Sequence, residues 1–339
     1  MTIQENISLK SFNTFGLDII ARKFVEVNNI DDVTEVITSG ILKQEPYLVL
    51  GGGSNLLFSR DFDGLVIKNS IGGIEPEEID DGSCIITAGA GVEWDELVWY
   101  CIDRDLGGIE NLSLIPGCVG AGPIQNIGAY GVELKDRFYS LDAIDLASGE
   151  LRSFSKEECE FGYRDSIFKR KLKGKVIIVS VRLQLRKGID PDTSYGAIKE
   201  ELKRMKVAED PGIRDVGMAV SSIRERKLPD PDVTGNAGSF FKNPVIAEEK
   251  FNEICNRYPN MPSYRGEPGL VKVPAGWLIE QCGWKGRRIG NAGVHSMQAL
   301  VLVNHGGATG EEILALAQKL EGSVYDEFGI KLEMEVNLV

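Results

Sequence analysis

Histidine is nearly missing from this chain: His295 and His305 are the only two among 339 residues. A metal centre built on imidazole needs several at ligand spacing, so no metal site of that kind is expected. The six cysteines stand singly at Cys84, Cys101, Cys118, Cys159, Cys255 and Cys282. Without CxxC pairs or a dense framework they read as free thiols of a reducing compartment, and the expected location is the cytoplasm. No apolar run reaches the roughly eighteen residues of a membrane span. The opening MTIQENISLK has no apolar h-region, so no secretory signal and no membrane partner are expected. Positive charge is also short. With a net charge of −13 the chain lacks the basic footprint of non-specific nucleic-acid binding. An anionic small molecule is still admissible, because a pocket needs only a few local cations or backbone N–H groups.

The remaining composition, 42% hydrophobic and 26% charged, is that of a globular protein. At about 150 residues per domain the length suggests about two domains. No internal repeat is visible. Tyr47 to Leu50 reads as a buried strand entering a glycine turn, with further short strands at Gly64, Cys84 and Lys175. Trp94, Leu97, Val98, Cys101 and Ile102 recur at helical spacing in a helix expected to stop at Gly107. The polar stretch around Tyr195 reads as a mobile surface loop leading to a short helix. Lys227 to Gly238, KLPDPDVTGNAG, has two prolines and two glycines and reads as a linker near a domain boundary. Beyond it come a helix at PAGWLIEQCG, a strand from Gln298, and a helix opened by a Thr309–Glu312 capping box and closed at Gly329. A last strand, KLEMEV, is expected to place Leu332, Met334 and Val336 on one face and Glu333 and Glu335 on the other. Strands and helices mix without a regular βαβ beat, which predicts an α+β fold.

Five stretches could carry chemistry. Gly51, Gly52, Gly53, Ser54 and Asn55 follow the buried strand, where glycines permit close backbone approach to a ligand; on the motif alone a tight turn is the better reading. Between Pro116 and Gly131 the glycines Gly117, Gly120, Gly122, Gly128 and Gly131 are separated by small residues, and the side chains carry almost no charge. Such a loop can offer backbone N–H groups to a pyrophosphate, with Gln125 and Asn126 adding amides suited to a heterocycle. In FGYRDS, Arg164 offers a fork for a carboxylate or a partner for Asp165. In NAGSFFKNP, Gly238 gives access to Ser239, and Phe240 and Phe241 could hold it rigid, while Lys242, Asn243, Arg224 and Lys227 add polar reach. Glu335, on pattern alone, is an edge charge.

Taken in order, NTFGLD, LVLGGGSNLLF, IPGCVGAGPIQNIGAYG, FGYRDSIFK, GNAGSFFKNP, PAGWLIEQCG and LEMEV resemble the UDP-N-acetylenolpyruvoylglucosamine reductase (MurB) family. The resemblance runs from about Asn13 to Val336. It implies an FAD-binding domain of the vanillyl-alcohol-oxidase (PCMH) type in two subdomains, expected at 1–70 and 71–226, and a substrate domain at 227–339. It implies an NADPH-dependent, monomeric oxidoreductase of peptidoglycan precursor synthesis, acting on a nucleotide sugar. Hydride passes from NADPH to FAD to the vinyl carbon of the substrate. Arg164 falls on the residue that stabilises the enol intermediate, Ser239 on the proton donor and Glu335 on the catalytic glutamate. Gly51, Gly52, Gly53, Ser54, Asn55, Pro116, Gly117, Gly120, Gln125, Asn126, Gly128, Ala129, Tyr130 and Gly131 fall on flavin-contacting loops. Tyr195, Arg224, Lys227, Asn243 and Gln298 fall on substrate positions, Tyr195 belonging to the subclass with a closing tyrosine loop. Both histidines lie past residue 290, so the histidyl attachment of some related oxidases has no counterpart and the FAD is expected to be non-covalent. The chain departs from the family at Met334, where proline is common, and at Cys118, where serine or threonine is frequent. A flavin oxidase and a nucleotide-sugar binding protein without chemistry are the rival readings.

Overall fold

The computed structural model describes residues 2–80 and 82–339. They divide into two compact units. One holds Met1–Ser8, Ile20–Gly53 and Phe62–Arg226; the other holds Leu9–Ile19, Ser54–Asp61 and Lys227–Val339. The division passes through the GGGSN motif, between Gly53 and Ser54. Strands and helices are mixed in both, as an α+β fold requires.

Among the described residues the first unit contains two large sheets and a two-stranded hairpin. Ile20–Val27 and Tyr47–Leu50 lie parallel to Phe62–Asn69, and Gln4–Ser8 adds an antiparallel edge. The second sheet is antiparallel and centres on Val176–Lys187, a twelve-residue strand flanked by Phe138–Asp145 and Ser83–Gly89. The alternation in VIIVSVRLQL sends Val181, Leu183 and Leu185 into a core shared with Trp94, Leu97 and Cys101. The edge strand Ile74–Asp80 carries Glu75, Glu77 and Glu78, and acidic side chains of this kind discourage edge-to-edge pairing. The expected helix at Trp94 stops at Ile102, short of Gly107. Asp105 turns left-handed at φ 58°, and Leu106–Gly107 is drawn off to pair with Arg186 and Lys187. A fifteen-residue helix, Ile213–Lys227, precedes the expected linker.

In the second unit Gly235–Ser239 pairs with Val301–Asn304, which pairs with Ala292–Val294 and then Arg288–Ile289. The linker therefore ends earlier than Gly238: a turn at Asp230–Thr234 delivers the chain into the strand at Gly235. The strand expected from Gln298 starts at Val301, after a turn closed by Val301 N and Gln298 O. The NTFG segment belongs to this unit. Asn13 ties Leu9 and Leu17 together through three hydrogen bonds of 2.7–2.9 Å. Gly235 packs so closely on Phe15 that a Cβ there would lie 2.2 Å from the Phe15 carbonyl oxygen.

The Gly310–Phe328 helix covers this core with Ile313, Leu316, Ala317, Leu320 and Val324. Its ends are where the sequence predicts: Thr309 and Glu312 form a reciprocal capping box, and Gly329 closes the helix at φ 64°. Among the described residues no helix is long and apolar enough to cross a membrane. Thr309→Ala is expected to cost about 1 kcal/mol, the usual worth of an N-cap. Gly310→Ala is expected to cost more, because its Cβ would lie 1.7 Å from the Phe58 carbonyl oxygen, and backbone cannot turn away. Thermal melting of the two variants checks this order; equal losses would show that the helix start is not held this tightly.

Candidate active site

In the first unit the two glycine-rich segments meet backbone to backbone. A Cβ on Gly52 would lie 2.8 Å from Gly117 Cα, and one on Gly120 would lie 2.6 Å from Ala90 Cβ. Gly53 and Gly117 take left-handed φ angles of 65° and 112°. The result is a cradle of main chain with few side chains in it, which fits a flavin nucleotide's pyrophosphate. Cys118, in this loop, is buried, and burial pushes its thiol pKa up, so it acts as packing.

The rest of the glycine segment is less irregular than its composition predicts. Gly128–Ala129 pairs with Val132–Glu133 across a two-residue turn, with φ of 49° at Tyr130 and 90° at Gly131. Both central residues have positive φ, the requirement of a type I′ hairpin. Tyr130 carries a backbone strain there that neighbouring contacts must offset. Its carbonyl accepts from Asn111 Nδ2 at 3.1 Å, its ring meets Tyr195 edge-on at 5.3 Å between centroids, and its hydroxyl is hydrogen-bonded to Arg224. Three residues singled out separately in the sequence, Tyr130, Tyr195 and Arg224, thus form one cluster. Arg224 is donated by the Ile213–Lys227 helix, which the linear reading misses. The signal was present in Ile213, Val216, Val220 and Ile223, which line one face. Burial pushes the Arg224 guanidinium below its ordinary pKa and the Tyr130 phenol above its own. Arg224 Nε donates to Leu114 O at 3.2 Å, and among the described residues no carboxylate is hydrogen-bonded to it. A desolvated cation in this state favours an anionic ligand.

Arg164 is half-buried on the loop beside the same hairpin. Its Nη2 donates to Gly128 O at 2.5 Å and its Nη1 to Asn126 O at 3.5 Å. Its neighbour Asp165 is engaged by Arg170. Asn126 is fully buried and wholly engaged: Nδ2 donates to Glu133 and to Gly162 O, both at 3.0 Å, and Oδ1 accepts from Lys135 N at 3.0 Å. Its side chain stitches the glycine segment to the Arg164 loop, so only its main chain is left to face a cofactor.

In the second unit Ser239 pairs with Val301 just after a bulge that separates it from the Asn236–Val303 pair. Gly238 supplies the left-handed φ of 65° that the bulge needs, and Asn236 Oδ1 accepts from its N–H at 2.9 Å. The two phenylalanines that follow are 1% and 0% exposed, their rings edge-on at 5.2 Å. A bulge re-aims the chain and two buried rings hold it, so Ser239 is half-buried at a defined place.

The C-terminal segment departs from expectation. KLEMEV is not a strand; Met334 makes an isolated bridge to Phe241, and pairing resumes only at Asn337–Leu338 with Leu56–Leu57. The segment pairs with Phe240–Lys242 for a single bridge and then passes to Asn55. Lys242 N donates to Glu333 O at 2.9 Å, Glu335 N donates to Phe240 O at 2.8 Å, and Asn337 N donates to Asn55 O at 3.1 Å. Leu332 and Val336 are buried as predicted, but the two glutamates differ. Glu333 is exposed and ion-paired to Lys242, which gives that lysine a structural role; Glu335 is half-buried. Asn55 Nδ2 donates to Glu335 O at 3.3 Å. Main chain therefore brings Ser239, Glu335 and Asn55 into one assembly. Asn243 Oδ1 accepts from Ala275 N at 2.9 Å at the start of the Ala275–Gln281 helix, Gln298 Oε1 lies against Gly276, and Lys227 is exposed.

The comparisons with known proteins bear on both units. Residues 21–155 match a model described as an FAD binding domain, and residues 230–339 match the C-terminal domain of UDP-N-acetylenolpyruvoylglucosamine reductase. Curated reductases of that name from Flavobacterium johnsoniae and Amoebophilus asiaticus are 47% and 49% identical, each over 100% of both chains. The chain belongs to the MurB family. A crystal structure of the family's reductase from Thermus caldophilus superposes with a TM-score of 0.68 at 25% identity, covering 100% of this chain and 99% of that one. Within this family's FAD-binding domain, the Gly52–Gly117 contact gives a direct test. Gly52→Ala is expected to fold but to purify with little flavin, seen as a fall in the absorbance ratio at visible and ultraviolet wavelengths; full flavin content would remove this contact from the cradle.

Proposed function

We propose that this chain reduces UDP-N-acetylglucosamine enolpyruvate to UDP-N-acetylmuramate, with NADPH as reductant and non-covalently bound FAD. Full-length identity to reductases named for this activity supports the reaction. The observation that supports the residue assignment is the pair of hydrogen bonds that hold the Glu335 main chain to Phe240 O, just after Ser239, and to the Asn55 side chain. When bound, FAD supplies the two-electron relay between NADPH and the vinyl group of the substrate. The glycine cradle of Gly51–Gly53 and Pro116–Gly120 holds it.

The protein's part is to stabilise negative charge as it develops next to the substrate carboxylate and then to deliver a proton. Arg164 supplies the fixed positive charge, its guanidinium oriented by the carbonyls of Gly128 and Asn126. Ser239 delivers the proton to carbon. A lone serine hydroxyl is a weak acid, so it acts within a hydrogen-bonded network, and Glu335 orients or donates into that network. Arg224 and Tyr195 engage the nucleotide sugar, with Lys227, Asn243 and Gln298 as further polar contacts. Arg224 suits a diphosphate because its guanidinium is desolvated and, among the described residues, no carboxylate is hydrogen-bonded to it. The reading places the enzyme in the cytoplasm, on its unpaired thiols, and takes it to be a monomer.

Ser239→Ala separates the half-reactions. NADPH is expected to bleach the flavin at the normal rate, and the enolpyruvyl substrate to reoxidise it about 10²–10³-fold more slowly, the usual cost of one transition-state donor. Anaerobic stopped-flow absorbance measures both steps. Normal reoxidation by substrate would remove Ser239 from the chemistry.

A further inference from the structure

Tyr195 and Arg224 come from two helices that form a hairpin with a core of its own. Gly196–Met205 and Ile213–Lys227 bury Ile198, Leu202, Val216, Ala219, Val220 and Ile223 between them, and Tyr130 packs against this cluster. Apolar contacts hold two helices together but are non-directional, and they fix the register of one on the other weakly. A polar lock lies across the same interface. The Glu201 side chain is 7% exposed, yet it is a carboxylate. Its Oε1 accepts from Arg226 Nη1 at 2.8 Å and from Ser222 Oγ at 2.9 Å, and Arg226 Nη2 donates to Oε2. Arg226 Nη1 also donates to Ser222 Oγ at 2.9 Å. A forked Arg–carboxylate pair fixes rotation as well as distance. Arg226, with help from Ser222, holds the Glu201 carboxyl down at about 2, so the lock is fully charged throughout the neutral range.

Such a network adds little net stability for the desolvation it costs; geometric specificity is its best-attested use. The hairpin has a second tether where the chain enters it. Asn111 Nδ2 donates to Asp192 O at 2.9 Å as well as to Tyr130 O. Tyr195 immediately precedes its helix, between the Asn111 tether in front and the Glu201 lock behind.

We propose that Glu201 is a positioning residue which, through Arg226 and Ser222, sets the register of the Tyr195 helix on the Arg224 helix and so fixes the Tyr195–Tyr130–Arg224 cluster for the nucleotide sugar. The proposal rests on the reading of Tyr195 and Arg224 as substrate contacts. It extends that reading to a group that touches neither substrate nor cofactor.

The test uses FAD-loaded full-length protein and steady-state kinetics with the enolpyruvyl nucleotide sugar. Glu201→Gln and Arg226→Gln are each expected to raise the KM for that substrate about tenfold, the scale of a lost hydrogen bond to a charged group, with kcat and anaerobic flavin reduction by NADPH unchanged. The double variant is expected to raise KM no further than the larger single change, because both remove one lock. The KM ratio to wild type is expected to stay constant across the neutral range, where Glu201 does not titrate. Tyr195→Ala and Arg224→Gln run alongside. If these two raise KM while the Glu201 and Arg226 variants do not, the positioning role is overturned and the substrate reading stands. If none of the four moves KM, the substrate reading falls and the proposal with it. Additive effects in the double variant, or a parallel loss of flavin reduction, also overturn it. Should Glu201→Gln fail to fold, Arg226→Gln decides alone, since that side chain is 42% exposed and its loss leaves the apolar core intact.

Discussion

The hydrogen bond from Glu335 N to Phe240 O, 2.8 Å long, is the constraint on which the second unit's chemistry depends. It ties the main chain next to one candidate acid to the main chain of the other. Its geometry is set from both sides. Phe240 and Phe241 are buried, and each ring contributes on the order of 1.5–3 kcal/mol by leaving water. That anchors the acceptor. On the other side the Asn55 contacts and the Asn337–Leu338 pairing with Leu56–Leu57 hold the C-terminal segment, and these anchor the donor. Main chain fixed on both sides limits where the two side chains can reach. This is the sort of preorganisation that a group acting on a transient charge requires.

The Gly238 bulge explains why a strand at this position contains a glycine. In a regular ladder Ser239 would take its orientation from simple alternation with Asn236. The extra residue breaks the alternation, and the left-handed φ of 65° is conformationally cheap only for glycine. The same logic runs through the first unit in a costlier form. Tyr130 and Arg164 take left-handed angles of 49° and 52° without being glycines. Each is held by contacts that outlast the strain: Tyr130 by Asn111, Tyr195 and Arg224, and Arg164 by the carbonyls of its neighbouring hairpin. Backbone strain offset by neighbours recurs at functional sites, in keeping with the roles proposed for these two residues.

Much of this was legible in the sequence because it is local. The capping box at Thr309, the stop at Gly329 and the strand Tyr47–Leu50 follow from propensity and spacing, and the structure places them where those rules do. The glycine segments could be singled out because glycine excess is a local signal. What stayed hidden is non-local. No rule of alternation says that the chain from Glu333 to Asn337 passes from the Phe240–Lys242 segment to Asn55, since both partners lie far away in sequence. The tyrosine–glycine turn at Tyr130 reads as loop because its two-residue hairpin is shorter than any periodicity. The apolar spacing of the Ile213–Lys227 helix is present in the sequence, but the turn-rich segments on both sides obscure it.

Arg224 and Arg226 sit two residues apart on that helix, and the fold treats them oppositely. Two residues on a helix point about 200° apart, so the pair faces different surroundings. Arg226 is paired through its fork with a buried carboxylate, and its charge is neutralised locally. Arg224 is desolvated against Tyr130 and Leu114, with no carboxylate hydrogen-bonded to it among the described residues. If the fold needed both cations only for stability, pairing both would cost less. On the proposed reading, leaving one desolvated keeps its charge for the nucleotide sugar, while the other secures the helix that carries it. The division of labour follows from position on the helix alone, and composition could not have revealed it, because the two residues are the same.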